Sequence, residues 1–293
     1  MRVINLPQDI LSDKKMKSGS VIFHHFAASV GSLNGMSVLH QNTISLVISG
    51  EKTMHFSDRV VHIHDDEFHF LSAGNCLASV KLSKKKLFKS ILIFFDNKTL
   101  ADFYLKYEAD ITKIRSKLKL TSEPYLSFKK DDFILNYIGS LELLFKSTPI
   151  ISEEMKKIKF EELMVYLFQK YPQKILSFYP GEHKQSDDFE IRKAVEANIV
   201  SNISIKELAF LCNISLSTFK RRFARIYGIS VNKWFLQKRM EMAKNLLKHH
   251  HEKPSEIYHK VGYENHSSFS QTFKQTFGIT PTEFQARELN HHL

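Results

Sequence analysis

Cysteine is scarce in this chain: there are two among 293 residues, Cys76 and Cys212, far apart and each in apolar surroundings. They suggest neither a disulfide framework nor a paired zinc-ligand spacing, which fits a reducing compartment. Long apolar runs are missing as well. Nothing approaches the roughly 18 consecutive apolar residues of a membrane span. The stretch from Met1 to Lys15 carries polar residues throughout and lacks an apolar core of signal-peptide length. A cytoplasmic protein with no membrane association is expected.

Catalytic signatures are also sparse. No glycine-rich phosphate loop occurs. Ser217-Thr218-Phe219-Lys220 fits the Ser-x-x-Lys pattern of penicillin-binding proteins, but neither companion motif, Ser-Asp-Asn or Lys-Thr-Gly, is present. His62, His64, Glu67 and His69 cluster in the first hundred residues, and a His-x-His…Glu pattern holds metal in cupin barrels. Here the spacing to Glu67 is too short, and Phe56 stands where a glycine should precede the pair. Asp65-Asp66 reads more simply as a turn between two strands. No enzymatic activity, metal or cofactor is expected.

What the chain does have is a core and a positive charge. Hydrophobic residues make up 43% and charged residues 25%, enough to build ordinary globular domains. The net charge of +11 favours an acidic partner such as nucleic acid. The charge does not single out one half. Lys and Arg outnumber Asp and Glu by 16 to 11 from Asp187 onward and by 26 to 20 before it.

Periodicity divides the chain. Residues from about 20 to 96 read as short strands at roughly ten-residue spacing, the pattern of a small barrel or sandwich. Ile44 to Ile48, Lys52 to Phe56, Val60 to His64, Phe68 to Leu71, Cys76 to Leu82 and Ser90 to Phe95 are the clearest. From about 99 to 171 the period becomes helical, with Leu135, Ile138, Leu141 and Phe145, then Ile158, Glu162 and Val165, on the expected inner faces. One of these helices is a candidate dimer seam. Pro172, Pro180-Gly181 and a polar run to Asp188 mark a linker. The expected organisation is therefore α+β: a regulatory or dimerisation domain over 1–175, a linker over 176–188, and an all-α domain over 189–289.

That last domain repeats itself. Ser217, Phe219, Phe223, Tyr227, Gly228, Ile229 and Ser230 recur fifty residues later as Ser267, Phe269, Phe273, Phe277, Gly278, Ile279 and Thr280. Ser204 with Glu207 forms a capping box, Ser215 an N-cap and Gly228 a stop, which gives two short helices in helix-turn-helix order. At about 100° per residue the second of these turns Phe219, Phe223, Ile226, Tyr227 and Leu216 inward. Ser217, Thr218, Arg221 and Arg225 then face outward, flanked by Lys220 and Arg222. The repeat places Ser267, Ser268, Gln271, Lys274 and Gln275 outward, with Asn265 as N-cap and His266 at the helix start. Such a face suits the major groove of double-stranded DNA. Arg221 is the expected base reader, by the match of its fork to guanine. Gln271 suits adenine, and Lys220, Arg222 and Arg225 suit phosphates. Between the two units, Val231 to Lys248 reads as one long helix that buries Trp234, Phe235, Ala243, Leu246 and Leu247 and leaves Arg239 and Lys244 solvated.

On these residues the chain resembles the AraC/XylS transcription regulators. The carriers are Leu208-Ala209, Ser215 to Phe223, Gly228-Ile229-Ser230, Arg239 with Ala243 and Leu246-Leu247, Val261-Gly262-Tyr263, Ser268-Phe269, Phe273-Lys274, Phe277-Gly278, Thr280-Pro281 and Phe284. The resemblance implies seven helices with two helix-turn-helix motifs, promoter binding, homodimerisation and activation through RNA polymerase in the bacterial nucleoid. Arg221 matches the family's base-contacting Arg. Gln271 stands where the second motif commonly has Arg, and Tyr258 where a small residue is typical. Upstream, the pattern is similar to the cupin-like barrel and trailing helices of the virulence and type III secretion activators. This implies a small-molecule effector or a protein antagonist. An alternative reading makes the chain an interaction module whose C-terminal part docks a protein.

Overall fold

The computed structural model describes residues 3–11, 20–115, 123–148, 150–178, 187–249 and 252–290. The expected linker lies, over 179–186, outside the described residues, as do parts of the polar N-terminus. Two compact units form, one from residues up to 184 and one from 185 onward, residues 57–59 apart.

In chain order the elements of the first unit are β1 (Ile4–Leu6), β2 (Val21–Ala28), β3 (Ser32–Leu39), β4 (Asn42–Ser49), β5 (Glu51–His55), β6 (Val60–Ile63), β7 (Glu67–Leu71), β8 (Gly74–Lys81), β9 (Phe88–Phe95), α1 (Asn97–Lys106), α2 (Glu108–Arg115), β10 (Tyr125–Lys129), α3 (Asp132–Ser147), α4 (Glu153–Lys170) and α5 (Pro172–Ser177). The strands make two five-stranded sheets, ordered β1-β3-β8-β5-β6 and β10-β7-β4-β9-β2. The barrel-like pattern is thus realised as two sheets that share a core, not as a closed cylinder of hydrogen bonds.

The second sheet is buried on both faces, and side-chain alternation explains how. Ile44, Leu46, Phe68, Phe70, Ile91, Ile93 and Phe95 point to the side covered by α1, α3, α4 and α5. Their neighbours Val47, Leu71 and Phe88 point the other way and pack with Leu39, Met54, Val61, Ile63 and Cys76 of the first sheet. A strand apolar on both sides reads as a continuous run, which is why β9 carries Ile91-Leu92-Ile93-Phe94-Phe95.

Two sequence expectations need correction here. The helical stretch is interrupted by β10, which pairs antiparallel with β7. There Leu126 and Phe128 alternate into the core beneath the helices, while Tyr125 stacks on His69 at 5.5 Å. Ile138 and Leu141 of α3 face inward as expected, but Leu135, Ile158 and Glu162 are exposed, and the inner faces are completed by Ile134 and Tyr137 of α3 and by Phe160, Leu163, Met164 and Leu167 of α4. Both helices carry apolar residues on two sides, so periodicity alone cannot say which side meets the sheet. The clustered histidines stand in different surroundings. His62 bonds Thr53 Oγ1 at 3.1 Å on an exposed strand face, whereas His69 is fully buried and burial lowers its pKa to about 4. Among the described residues no group of three His, Cys, Asp or Glu side chains converges.

The helices start on capping side chains: Asp96 accepts from Thr99 N, Asp131 from Ile134 N and Ser152 from Met155 N. Asp131 also receives the Tyr166 hydroxyl and the Lys170 ammonium. Partial burial alone would raise its pKa. The Lys170, Tyr166 and Ile134 hydrogen bonds outweigh that and hold it at about 2. A carboxylate depressed in the folded state contributes stability above its unfolded pKa and loses it as pH falls through the folded value. Wild-type stability should therefore drop between about pH 4 and pH 2 by an increment absent from Asp131→Asn, as read by urea melts across that window. Parallel pH profiles for the two proteins would contradict this account.

Candidate nucleic-acid interface

The second unit is all helix: α6 (Asp187–Ala197), α7 (Ile205–Leu211), α8 (Leu216–Tyr227), α9 (Val231–His249), α10 (Pro254–Ile257), α11 (His266–Phe277) and α12 (Pro281–Asn290). Local chemistry sets each boundary. Ser204 and Glu207 close a reciprocal capping box at the start of α7. Ser215 accepts from Thr218 N at 3.2 Å at the start of α8, and Asn265 from Ser268 N at 2.9 Å at the start of α11. Both helices run 12 residues and stop on a left-handed glycine, Gly228 at φ 71° and Gly278 at φ 80°.

The fifty-residue repeat persists in three dimensions. Phe219 and Phe223 are fully buried, as are Phe269 and Phe273. Tyr227 lies 4.6 Å from Phe223, and Phe277 lies 4.6 Å from Phe273. Trp234 meets Phe223 edge-on at 5.9 Å, and Phe284 meets Phe273 edge-on at 5.7 Å. Trp234 and Phe284 are an eighth matched pair at the same offset, which the sequence reading overlooked. Extending the comparison four residues past Ser230 and Thr280 would have revealed it.

One helix serves both halves. The first half of α9 places Val231, Trp234 and Phe235 in the core around α8. Its second half places Met240, Ala243 and Leu247 in the core around α11. Arg239, expected to be solvated, is instead half-buried at the change from one core to the other and donates to three backbone carbonyls.

The outer faces are nearly as the helical wheel predicts. On α8, Ser217, Lys220, Arg221 and Arg225 are exposed, while Thr218 and Arg222 are half-buried. Leu216, expected inside, is exposed in the first turn, where no neighbouring helix covers it. The Thr218 hydroxyl accepts from Ser215 Oγ at 2.8 Å, and Ser217 Oγ lies 3.0 Å from the same atom. Both hydroxyls therefore serve the cap. Arg225 forks onto both carboxylate oxygens of Asp188 at 2.7 Å. Both partners are exposed, and such a pair holds weakly in water, so a phosphate can replace the carboxylate. On α11, His266, Ser267, Ser268, Gln271, Lys274 and Gln275 are all exposed. His266 Nε2 lies 3.4 Å from Ser270 Oγ, and its ring meets Tyr258 edge-on at 6.2 Å. Tyr258 directly follows the four-residue α10 and is half-buried against the second core. The two outer faces thus differ in charge, α8 carrying a row of cations and α11 mostly amides and hydroxyls. Each presents donors along a single helix whose opposite side is locked in place, a geometry that can enter a DNA groove.

Known proteins share both units. Residues 42–178 match the ExsA N-terminal regulatory domain, and residues 208–287 match the helix-turn-helix domain. The virulence regulon transcriptional activator VirF of Yersinia enterocolitica is 22% identical over 244 residues, covering 83% of this chain and 88% of the relative. The HTH-type transcriptional regulator ExsA of Pseudomonas aeruginosa is 22% identical over 248 residues, covering 82% and 84%. Among solved structures, ToxT from Vibrio cholerae aligns over 91% of this chain and 98% of its own at 16% identity, with a TM-score of 0.39. The protein is a DNA-binding transcription regulator built on a double helix-turn-helix domain. With a match to the ExsA N-terminal regulatory domain upstream, it belongs to the AraC/XylS family.

Proposed function

We propose that this regulator activates transcription from promoters bearing two adjacent half-sites, with α8 and α11 in successive major grooves about 34 Å apart on one face of the duplex. The observation that carries this reading is the matched pair of 12-residue helices, each capped by a side chain, stopped by a left-handed glycine and anchored by two buried phenylalanines. Arg221 reads guanine and Gln271 adenine. Lys220, Arg222, Arg225 and Lys274 neutralise phosphates. Ser217, Thr218, His266, Ser267, Ser268 and Gln275 line the two contacts. The family's activators motivate RNA polymerase as a second partner and a cytoplasmic, nucleoid-bound protein. Among the described residues no helix is long and apolar enough to cross a membrane.

Residues 1–175 act as the regulatory and dimerisation domain, joined over 176–188 to the DNA-binding domain at 189–289. Leu135, Leu143 and Ile158 support a homodimer, since they leave apolar surface exposed on α3 and α4. A small effector or a protein antagonist would act through this domain. The rival reading, a C-terminal unit that docks a protein, separates from DNA binding by salt dependence. Counterion release should lower log affinity with log salt by about 0.9 per neutralised phosphate, a slope of about −3 to −4 for the four cations named. Mobility shifts across a salt series on a duplex selected by the wild-type chain measure it. A flat response would favour protein docking.

A further inference from the structure

We infer that Arg239 is the positioning residue that sets the relation between the two recognition helices, and hence the half-site spacing the protein accepts. This rests on the reading that α8 and α11 grip one duplex. Arg239 lies on α9 between the residues committed to the first core and those committed to the second. Its Nε donates to the Ile199 carbonyl at 2.7 Å, Nη2 to the Ser201 carbonyl at 2.9 Å and Nη1 to the Gly262 carbonyl at 3.1 Å. Ile199 and Ser201 belong to the loop that leads into α7, the first helix of the first motif. Gly262 belongs to the loop that leads into α11, the recognition helix of the second. A single planar guanidinium therefore joins both motifs to the helix between them, using donors in a fixed fork that Lys does not possess.

The two loops meet closely around this group. Gly262 has a φ of +79°, and a Cβ there would lie 2.8 Å from the Val200 carbonyl and 3.0 Å from Arg239 Cζ. Only glycine lets the second loop approach so near. Asn202 Nδ2 reaches Glu264 Oε1 at 3.4 Å across the same seam. Apart from α9 itself, these polar contacts are where the first motif's entry loop holds the second motif's. Apolar packing alone tolerates sliding, whereas three directional bonds from one rigid fork do not.

Removing the fork should loosen the spacing requirement and leave each motif's own contact intact. The test uses the full-length chain and a duplex selected by the wild type from a randomised library. Probes from that duplex have one base pair added or removed between the half-sites, and one further probe has the second half-site scrambled. Wild type should show a single sharp spacing optimum. Arg239→Met should bind the optimal probe about tenfold more weakly, within the range expected for a residue that couples two sites, and should flatten the spacing profile. On the scrambled probe it should match wild type within about twofold. Arg239→Lys, which keeps the charge and reaches one carbonyl, should fall between them. An unchanged spacing profile would overturn the inference. So would an equal loss on both probes, or loss of cooperative melting in both variants, because each would reduce Arg239 to plain stability. Failure of the wild type to select any duplex would instead sink the DNA reading beneath it.

Discussion

Phe223→Ala and Phe273→Ala should each destabilise the C-terminal unit by about 3–5 kcal/mol, the cost of deleting a buried ring whose surroundings cannot close over the space. Phe223 is fully buried and touches the rings of Phe219, Tyr227 and Trp234. Phe273 is equally buried and touches Phe269, Phe277 and Phe284. Domains of this size are held by about 5–15 kcal/mol in total, so either change consumes a large share of the stability. The two losses should be alike, because the two environments are copies. Urea melts followed by far-ultraviolet circular dichroism measure both. If either variant lost less than about 1 kcal/mol, the ring would not be the anchor described here.

Arg221→Ala should behave in the opposite way. The side chain is exposed on α8, so folding stability should change by no more than about 0.5 kcal/mol. Binding to the selected duplex should weaken by about 1–3 kcal/mol and lose preference at one base pair, since a bidentate contact to guanine disappears. Gln271→Ala should relax a different position, in the second half-site, by a comparable amount. Mobility shifts on a panel of single-base variants of the duplex read both effects. Weakening that is uniform across the panel would reassign Arg221 to the phosphates. Undiminished affinity would remove it from the interface.

The C-terminal unit was largely legible because its signals are local. Ser204, Ser215, Asn265, Gly228 and Gly278 act within four residues of themselves, and they fix where α7, α8 and α11 begin or end. The outer faces followed from those boundaries by simple rotation. Arg239 was misread because its partners, Ile199, Ser201 and Gly262, lie 40, 38 and 23 residues away. Nothing in the neighbouring sequence marks an arginine that will serve distant carbonyls. The ion pair from Arg225 to Asp188 escaped notice for the same reason, with 37 residues between them. In the N-terminal unit the alternating strands showed through, but of the inner faces of α3 and α4 only Ile138 and Leu141 did. Those faces are chosen by the sheet beneath them. The strand at Tyr125–Lys129 was hidden because its pairing partner, β7, lies more than fifty residues earlier.

The double duty of α9 has a consequence for how such a chain can vary in length. One residue inserted near Arg239 would rotate everything beyond it by about 100° and advance it about 1.5 Å. Met240, Ala243 and Leu247 would swing off the second core while Val231 and Trp234 stayed in the first. Loops absorb additions and deletions cheaply, but this helix cannot. Its 19 residues act as a ruler that the chain can neither lengthen nor shorten.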